Sequence, residues 1–505
     1  MEKALVVNFG GQYAHLIARR IREAGVLAEI VHPDDAVAEA KKPEVKAVVL
    51  SGGPASVYEE GAPDVGVEIL QLGKPVLAIC YGHQLVAKKL GGVVRRGKGE
   101  YGKTLVRVVE KDEIFEGWEG QEVVWMSHDD YVAEPPPGFA VLAVSENGYI
   151  AAMRGGHVYT VQFHPEVAHT VKGRRLFENF LRKVAKIRDV WKPEDQIPRL
   201  VNKIREEAAD GDVIIGVSGG VDSTVTALLV YKAVGKRAKA IFVDHGLFRE
   251  GEPERVVAML KSLGLDVYYV NSREKFLKRL EGASDCEEKR KIVGETFAEV
   301  FTETVKQFPN AKYLAQGTLY PDVIESGAVK GSDKIKSHHN VGGLPQWFNL
   351  KLIEPLREFY KDEVRAIGKA LGLPDDVVYR HPFPGPGLAV RIMGTFTREK
   401  LEVVRKASKI VEEELDKAGL TRKVWQAFAV VGDDKWVGVK GDRRAVGYVV
   451  TVRIVESEDA MTADWARIPY EVLEKISQRI TSEIPQAVMV TYAITSKPPS
   501  TIEPC

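Results

Sequence analysis

The hexapeptide Ser218-Gly219-Gly220-Val221-Asp222-Ser223 constrains this chain more than any other stretch. An apolar run, Val213-Ile214-Ile215-Gly216-Val217, precedes it, and the helix-forming residues 224–234 follow. A strand, a tight glycine turn and a helix N-terminus together make an anion site. The glycines let the backbone approach a ligand, while free N–H groups and the helix dipole favour phosphate oxygens. Ser218 and Ser223 add hydroxyl donors, and Asp222 is suited to a metal ion that accompanies the phosphates. The Gly-Lys-Ser/Thr ending of a Walker loop is missing, so the cradle is of another kind.

What surrounds the hexapeptide must fit its length and charge. The 505 residues allow about three domains. Lys+Arg and Asp+Glu balance at 71 each, so no global field draws the chain to nucleic acid or to an anionic membrane. Three cysteines, Cys80, Cys286 and Cys505, are too few and too scattered for a disulfide framework or a metal cluster. They point to a reducing cytosol, with Cys505 expected to be an incidental exposed thiol. The N-terminus has no signal-peptide layout, and no apolar run approaches the roughly 20 residues of a membrane helix. The expectation is a soluble cytoplasmic protein without nucleic-acid or membrane partners.

In the first third, apolar runs at residues 4–8, 28–31, 47–50, 67–72 and 76–79 are interleaved with a helical stretch at 15–24. This alternation predicts a mostly parallel sheet with helices on its faces. Pro75-Val76-Leu77-Ala78-Ile79-Cys80-Tyr81-Gly82-His83-Gln84 sets a cysteine where a buried strand turns sharply into a helix. Such an elbow exposes the side chain, and the helix N-terminus favours the thiolate. Gly53 N–H, from the turn Leu50-Ser51-Gly52-Gly53-Pro54, could join Tyr81 N–H as an oxyanion hole. Far downstream, His164-Pro165-Glu166 offers a base and a carboxylate that fixes its tautomer.

Cys80 to Gln84 together with His164-Pro165-Glu166 resembles the class I glutamine amidotransferase domain, over about residues 1–185. The resemblance implies that Cys80 forms a glutamyl thioester, with His164 as base and then acid and Glu166 as its orienter. It also implies that Gln84 and the Ser127-His128-Asp129 turn hold L-glutamine. Class II amidotransferases begin with a cysteine after Met1; Glu2 excludes that mechanism here.

Residues 188–199, charged and proline-containing, read as a linker. Beyond the hexapeptide, strands are expected at 238–243 and 267–270, completing a right-handed βαβαβ pattern. Ligands of open sheets bind at the carboxyl ends of strands, so the hexapeptide and the segment from Asp244 to Arg249 are candidates for one crevice. A further strand–glycine turn ends at Gln316-Gly317-Thr318, with Asp322 and Glu325 beyond it as candidate magnesium ligands beside Asp222. The irregular stretch that follows concentrates Lys334, Lys336, His338 and His339, with Gly342-Gly343 as a hinge. A cationic lid over polyphosphate fits it better than a zinc site, which would need further Cys or His ligands.

The hexapeptide is similar to the PP-loop of the ATP pyrophosphatases, which implies ATP binding by Ser218, Gly219, Gly220, Val221, Asp222, Ser223, Val243 and Gly317, with Mg2+. The amidotransferase and PP-loop pairing, with Ile335-Lys336-Ser337-His338-His339-Asn340 and Arg380-His381-Pro382-Phe383-Pro384-Gly385-Pro386-Gly387-Leu388, resembles the glutamine-hydrolysing GMP synthase family from end to end. That resemblance implies adenylylation of XMP by ATP and displacement of AMP by ammonia. It implies XMP contacts from Arg249, Arg380, Gln426, Lys497 and Glu503, and a homodimer built through the last domain. The tail has no core pattern of its own, and its ending Glu503-Pro504-Cys505 departs from the family.

The fold expected is α/β, with two open, mostly parallel sheets flanked by helices on both faces and a small C-terminal α+β domain. Strands are expected there at 390–394, 427–431, 436–440, 446–454 and 487–494, and helices at 398–417 and 469–483. The domains expected are residues 1–187 (amidotransferase), 188–380 (PP-loop) and 381–505 (dimerisation). Two rivals are another amidotransferase-coupled PP-loop ligase and a catalytically silent nucleotide-binding protein. The intact triad and unbroken Ser218–Ser223 run count against the second.

Overall fold

The computed structural model describes residues 1–11, 13–325, 350–457 and 463–505. Two compact units divide the described residues, the first comprising those from Met1 to Asp195 and the second those from Gln196 onward. The candidate lid residues Lys336, His338 and His339 lie outside the described residues.

The first unit begins β1 (Lys3–Val7), α1 (Ala14–Glu23), β2 (Leu27–Val31), α2 (Pro33–Ala40), β3 (Val45–Leu50), β4 (Val76–Ile79) and α3 (Tyr81–Lys89). It continues with β5 (Val93–Val108), β6 (Gln121–Glu134), β7 (Ala140–Ser145), β8 (Ile150–Gly155), β9 (Val158–Val161) and α4 (Gly173–Asn179). The strands form one sheet in the order β2-β1-β3-β4-β9-β8-β7-β5-β6. From β2 to β9 every pairing is parallel; beyond β9 the sheet continues antiparallel. The parallel half is the part the alternation exposes, because strands covered on both faces read as continuous apolar runs. All residues of β1 and β4 are buried. The apolar run at 67–72 is a 3-10 turn, Val67–Gln71, that buries only Ile69 and Leu70.

The second unit runs α5 (Ile197–Glu207), β10 (Asp212–Gly216), α6 (Val221–Val234), β11 (Ala238–Asp244), α7 (Glu252–Ser262), β12 (Val267–Asn271), α8 (Arg273–Leu280), α9 (Cys286–Val305), β13 (Ala311–Ala315), α10 (Tyr320–Glu325), β14 (Lys351–Ile353), α11 (Lys361–Ala370) and α12 (Asp375–Val378). Its first sheet is parallel, in the order β12-β11-β10-β13-β14, so β10 is central. Then follow α13 (Arg398–Lys417), β15 (Gln426–Lys440), β16 (Arg443–Glu456), β17 (Asp464–Trp465), α14 (Tyr470–Glu483) and β18 (Ala487–Tyr492). Helix α13 starts where Lys400 N–H donates to the Thr397 hydroxyl at 3.2 Å. It buries Leu401, Val404, Ala407, Ser408, Val411 and Leu415, the three-and-four spacing of one helical face. That face joins a core that also contains Ile214, Ile241, Ala429 and Ile454.

Three local expectations are corrected. Residues 390–394 are not a strand: Gly387–Arg391 is a 3-10 turn, and Ile392 makes only a single bridge to Val431. The turn is set by Gly387 N–H donating to Pro384 O at 2.8 Å and Leu388 N–H to Leu247 O at 2.9 Å, and within the segment Ile392 N–H turns back to Ala389 O at 3.4 Å, leaving Met393 N–H to Val431 O at 2.8 Å as the bond to β15. The two strands expected at 427–431 and 436–440 are one strand, β15, with an irregularity between Val431 and Lys435. Cys505 is not a free exposed thiol. It is disulfide-bonded to Cys286, 219 residues away in sequence, leaving the buried Cys80 as the free cysteine. A pairing this distant in sequence leaves no local spacing signal.

Gly387 shows how tightly the 384–387 turn is set. Its φ is +62°, and a Cβ there would lie 2.7 Å from both Leu247 Cβ and Leu247 O. Gly387→Ala should destabilise the second unit by roughly 1–3 kcal/mol, read as a lower denaturant midpoint by circular dichroism. An unchanged midpoint would contradict the close approach.

Candidate active site

Two clusters of polar groups form, one in each unit, each at the carboxyl ends of parallel strands. In the first unit the ends of β3, β4 and β9 are adjacent. Cys80 follows β4 directly and is the N-cap of α3, with φ 51° and ψ −104°. A positive φ at a non-glycine residue costs on the order of 1–3 kcal/mol and persists only where packing imposes it. Here Cys80 N–H donates to Val161 O at 2.8 Å. A Cβ on Gly82 would sit 2.8 Å from Leu50 O, so glycine alone lets α3 start this close to β3.

His164 leaves β9 with its Nδ1 2.7 Å from Glu166 Oε1, the two side chains 5% and 0% exposed. With the carboxylate as acceptor, Nδ1 carries the proton. Gly52 lies between this ring and the thiol: a Cβ there would be 3.2 Å from His164 Cε1 and 3.6 Å from Cys80 Cβ. Burial alone would lower the His164 pKa, but the Glu166 carboxylate and the Cys80 sulfur raise it well above 6.5. The second carboxylate oxygen of Glu166 is buried without a hydrogen-bond partner. Such a thiol–imidazole–carboxylate line is built to take a proton from sulfur and hand it to a leaving group.

The neighbouring candidates separate. The Cys80 thiol donates to Ser127 O at 3.7 Å. Gln84 is buried, donating to Asp130 O at 2.7 Å and to Gln162 Oε1 at 3.3 Å. Gly53 packs against Phe9 O and the Tyr81 ring. The His128 ring turns inward, with Nε2 3.0 Å from Glu100 Oε2 and Nδ1 2.8 Å from Asp130 O. Asp129 faces out, accepting from Tyr101 OH at 2.7 Å. Sequence reading missed Glu100, a carboxylate inside a β-strand with no motif around it.

In the second unit the glycine turn ends the central strand β10, and Gly220 is the N-cap of α6. Gly219 has φ +77°, and a Cβ there would meet Val256 at 2.5 Å and Arg380 Nη1 at 3.2 Å. Ser223 Oγ accepts from Ser218 N–H at 3.2 Å, and the two hydroxyls lie 3.2 Å apart. Gly317, at the end of the adjacent β13, packs on Asp222: a Cβ there would be 3.0 Å from the Asp222 carbonyl carbon. Val243, near the end of β11, is buried. Lys361, at the start of α11, pairs with Asp222 Oδ2, while Asp222 Oδ1 is buried without a hydrogen-bond partner among the described residues. Asp322 Oδ2 accepts from Leu319 N–H at 2.9 Å, which commits it to capping the first turn of α10.

The nucleotide candidates converge on that turn. Arg380 donates to Gly219 O at 3.1 Å and pairs with Glu252. Glu252 also accepts from Arg249 N–H at 2.9 Å. The Arg249 guanidinium sits 2.7 Å from Glu412, out of hydrogen-bond alignment, and 4.7 Å above the Phe383 ring. Arg391 stacks on Phe428 at 4.2 Å and binds Glu503 through Nη2 at 2.8 Å and Nε at 3.1 Å. Gln426 donates to the same carboxylate and to Pro382 O at 3.1 Å. Burial, then the like charge of Arg249, pulls the Arg380 pKa down to about 10. Lys497 is placed by its backbone, bridging to Ala463. Arg391, Glu252, Glu412 and Lys361 were not singled out from sequence; Arg391 stood in the motif's shadow, and the other three carry no local signal.

Comparison with known proteins decides the family. Over its full length the chain is 76% identical to the GMP synthase [glutamine-hydrolyzing] of Pyrobaculum aerophilum, covering all of both chains. The chain belongs to that family. The corresponding protein of Aquifex aeolicus is 53% identical over 99% of this chain and 98% of its own, and that of Aeropyrum pernix 54% over the same shares. Family profiles match in three places: glutamine amidotransferase class-I at residues 5–184, NAD synthase at 194–297 and GMP synthase C-terminal domain at 413–504. GMP synthases of this family are ligases that form a C–N bond with glutamine and ATP. Among the described residues no helix is long and apolar enough to cross a membrane.

Removing the carboxylate beside His164 leaves burial opposed by the sulfur alone. Glu166→Gln should therefore lower the His164 midpoint, followed by NMR of the labelled imidazole. A midpoint that stays put would contradict the Glu166 contribution.

Proposed function

We propose that this enzyme makes GMP from XMP with ammonia taken from glutamine, and that the residues above divide the work. The observation that carries this reading is the unbroken polar chain from Gly219 through Arg380 and Glu252 to Arg249. It ties the phosphate turn to the side chains assigned to the nucleotide. Residues 1–187 are assigned to glutamine, 188–380 to ATP with the XMP contacts Arg249 and Arg380, and 381–505 to the remaining XMP contacts and to assembly.

Cys80 Sγ attacks the side-chain amide carbon of L-glutamine, and His164 takes the thiol proton and passes it to departing ammonia. The tetrahedral oxygen faces the N–H groups of Gly53 and Tyr81. Water then hydrolyses the glutamyl thioester, with His164 as base and Glu166 holding its tautomer. Gln84, Ser127, His128 and Asp129 are assigned to the glutamine side, His128 acting through its Glu100-fixed ring.

In the second unit the XMP C2 oxygen attacks the α-phosphorus of ATP, and the bond to pyrophosphate breaks. Ammonia then adds at C2, the C2–O bond breaks, and AMP leaves with a proton lost from nitrogen. Ser218 to Ser223, with Val243 and Gly317, hold ATP; Arg249, Arg380, Gln426, Lys497 and Glu503 hold XMP, the arginines suiting its phosphate. The buried Asp222 Oδ1, without a hydrogen-bond partner among the described residues, fits a Mg2+ ligand, whereas Asp322 is already committed to the first turn of α10. When bound, the ion neutralises phosphate charge. Lys361 holds the Asp222 carboxylate in place.

Two substitutions test the division. Cys80→Ala should abolish GMP formation from glutamine and leave it intact with ammonium; Asp222→Ala should stop AMP release under both conditions. Loss of ammonium-driven synthesis in the first variant, or retained turnover in the second, overturns the assignment.

A cytoplasmic homodimer is part of the reading. Val437, Val439 and Val446, the first and last directly opposite in register, leave an apolar strip exposed on one face of the β15–β16 ribbon, of the kind that marks an interface. Sedimentation of the soluble cell fraction should find a dimer; a monomer overturns the assembly, and recovery in the membrane pellet overturns the location.

A further inference from the structure

The first two turns of α9 hold the pocket of Glu503 from both sides. Cys286 opens the helix behind the Asp285 cap, whose Oδ1 accepts from Glu288 N–H at 3.0 Å. It is disulfide-bonded to Cys505, with the Cα atoms 5.4 Å apart. One turn on, the buried Lys289 donates to Ile392 O at 2.7 Å and Gly394 O at 2.6 Å, immediately after Arg391 in sequence. Arg290 donates to Cys505 O. One helix end thus grips the segment that carries Arg391 and the chain end that carries its partner.

Glu503 sits between two anchors on the tail. On one side Arg453 Nη2 donates to Thr501 O at 2.9 Å, and Ile502 packs with Phe428, Val455 and Ala463. On the other side stands the disulfide. A chain end without such ties samples many conformations, and a ligand then meets its carboxylate in place only part of the time. A crosslink at the last residue removes most of those alternatives before the ligand arrives.

We propose that the Cys286–Cys505 disulfide is a positioning device for nucleotide recognition, holding Glu503 against Arg391 and Gln426 where it receives XMP. The inference rests on the assignment of Glu503 to XMP made above. It also makes nucleotide affinity sensitive to redox state. A dithiol such as dithiothreitol gives two electrons and two protons, the S–S bond becomes two thiols, and the reagent closes into its own disulfide. Cys80, already a free thiol, is unchanged by that reagent.

The test uses the full-length enzyme with ammonium as nitrogen source, so that Cys80 chemistry takes no part. Thiol titration of denatured, unreduced protein should count one reactive group, matching the single free cysteine; three would overturn the proposal at once. The KM for XMP is then compared among oxidised enzyme, dithiothreitol-reduced enzyme, Cys505→Ser, Cys286→Ser and Glu503→Gln. Reduction and both serine variants should raise KM about tenfold, the scale of one misplaced charge-assisted hydrogen bond, with kcat at saturating XMP within about twofold. Reduction of the folded wild-type enzyme keeps the test valid should either variant fold poorly. If Glu503→Gln raises KM and reduction does not, the positioning role is refuted and the assignment of Glu503 stands. If Glu503→Gln leaves KM unchanged, that assignment fails and the inference with it. A fall in kcat at constant KM would indicate mere loosening of the fold and also overturn the proposal.

Discussion

The second unit depends on how it buries positive charge. Arg249, Arg391 and most of Arg380 are withdrawn from water, and an uncompensated buried guanidinium costs several kcal/mol (about 3–5 when a partner is removed). Each is therefore matched with a carboxylate: Arg249 with Glu412, Arg380 with Glu252, Arg391 with Glu503. The matching is geometric as well as electrostatic. It brings α7, α13, the 380–391 turn and the last residues of the chain to one place, beside the glycine turn that ends β10. Aromatic rings complete the seats, with Phe383 under both Arg249 and Arg391. Charges arranged this way are expensive to assemble for stability alone, and they leave donors in surplus: Arg249 Nη2 and Arg391 Nη1 have no hydrogen-bond partner among the described residues.

Both units solve the same problem with the same device. A parallel strand ends, the backbone turns within a residue or two, and a helix begins with its N–H groups pointing at the space above the sheet. In one unit the turn carries a thiol held at positive φ against Gly52 and His164; in the other it carries glycines and two hydroxyls. Close approach of backbone decides both. Leu50 O leaves no room for a side chain on Gly82, and Val256 leaves none on Gly219. The buried His164–Glu166 pair has a raised imidazole pKa because the carboxylate and sulfur outweigh burial. A ring that stays readily protonated is the form a general acid needs.

Legibility in the sequence followed locality. Cys80, His164 and Glu166 were readable because each ends a strand with a distinctive neighbour, and the Ser218–Ser223 turn because its chemistry lies within six residues. The long helix α13 was readable from its amphipathic spacing, and its observed bounds coincide with those expected. The segment at 390–394 misled because its apolar residues suit a strand, while hydrogen bonds to Pro384 and Leu247 hold a turn. The antiparallel half of the first sheet was muted in sequence, since strands with one solvated face carry shorter apolar signals. Glu100, Glu252, Glu412 and Lys361 had none, because each matters only through a partner far away in the chain.

The sequence by itself determined the class of fold, the two glycine or cysteine turns and the family to which the chain belongs. It could do so because strand periodicity and turn chemistry are set by neighbours within a few residues. Only the tertiary structure decided which charges pair, that Arg391 is the seat of Glu503, and that the last residue is tied to Cys286. Those facts depend on contacts spanning 112 residues between Arg391 and Glu503 and 219 between the two cysteines. At such separations burial and electrostatic matching, rather than local propensity, select the partner.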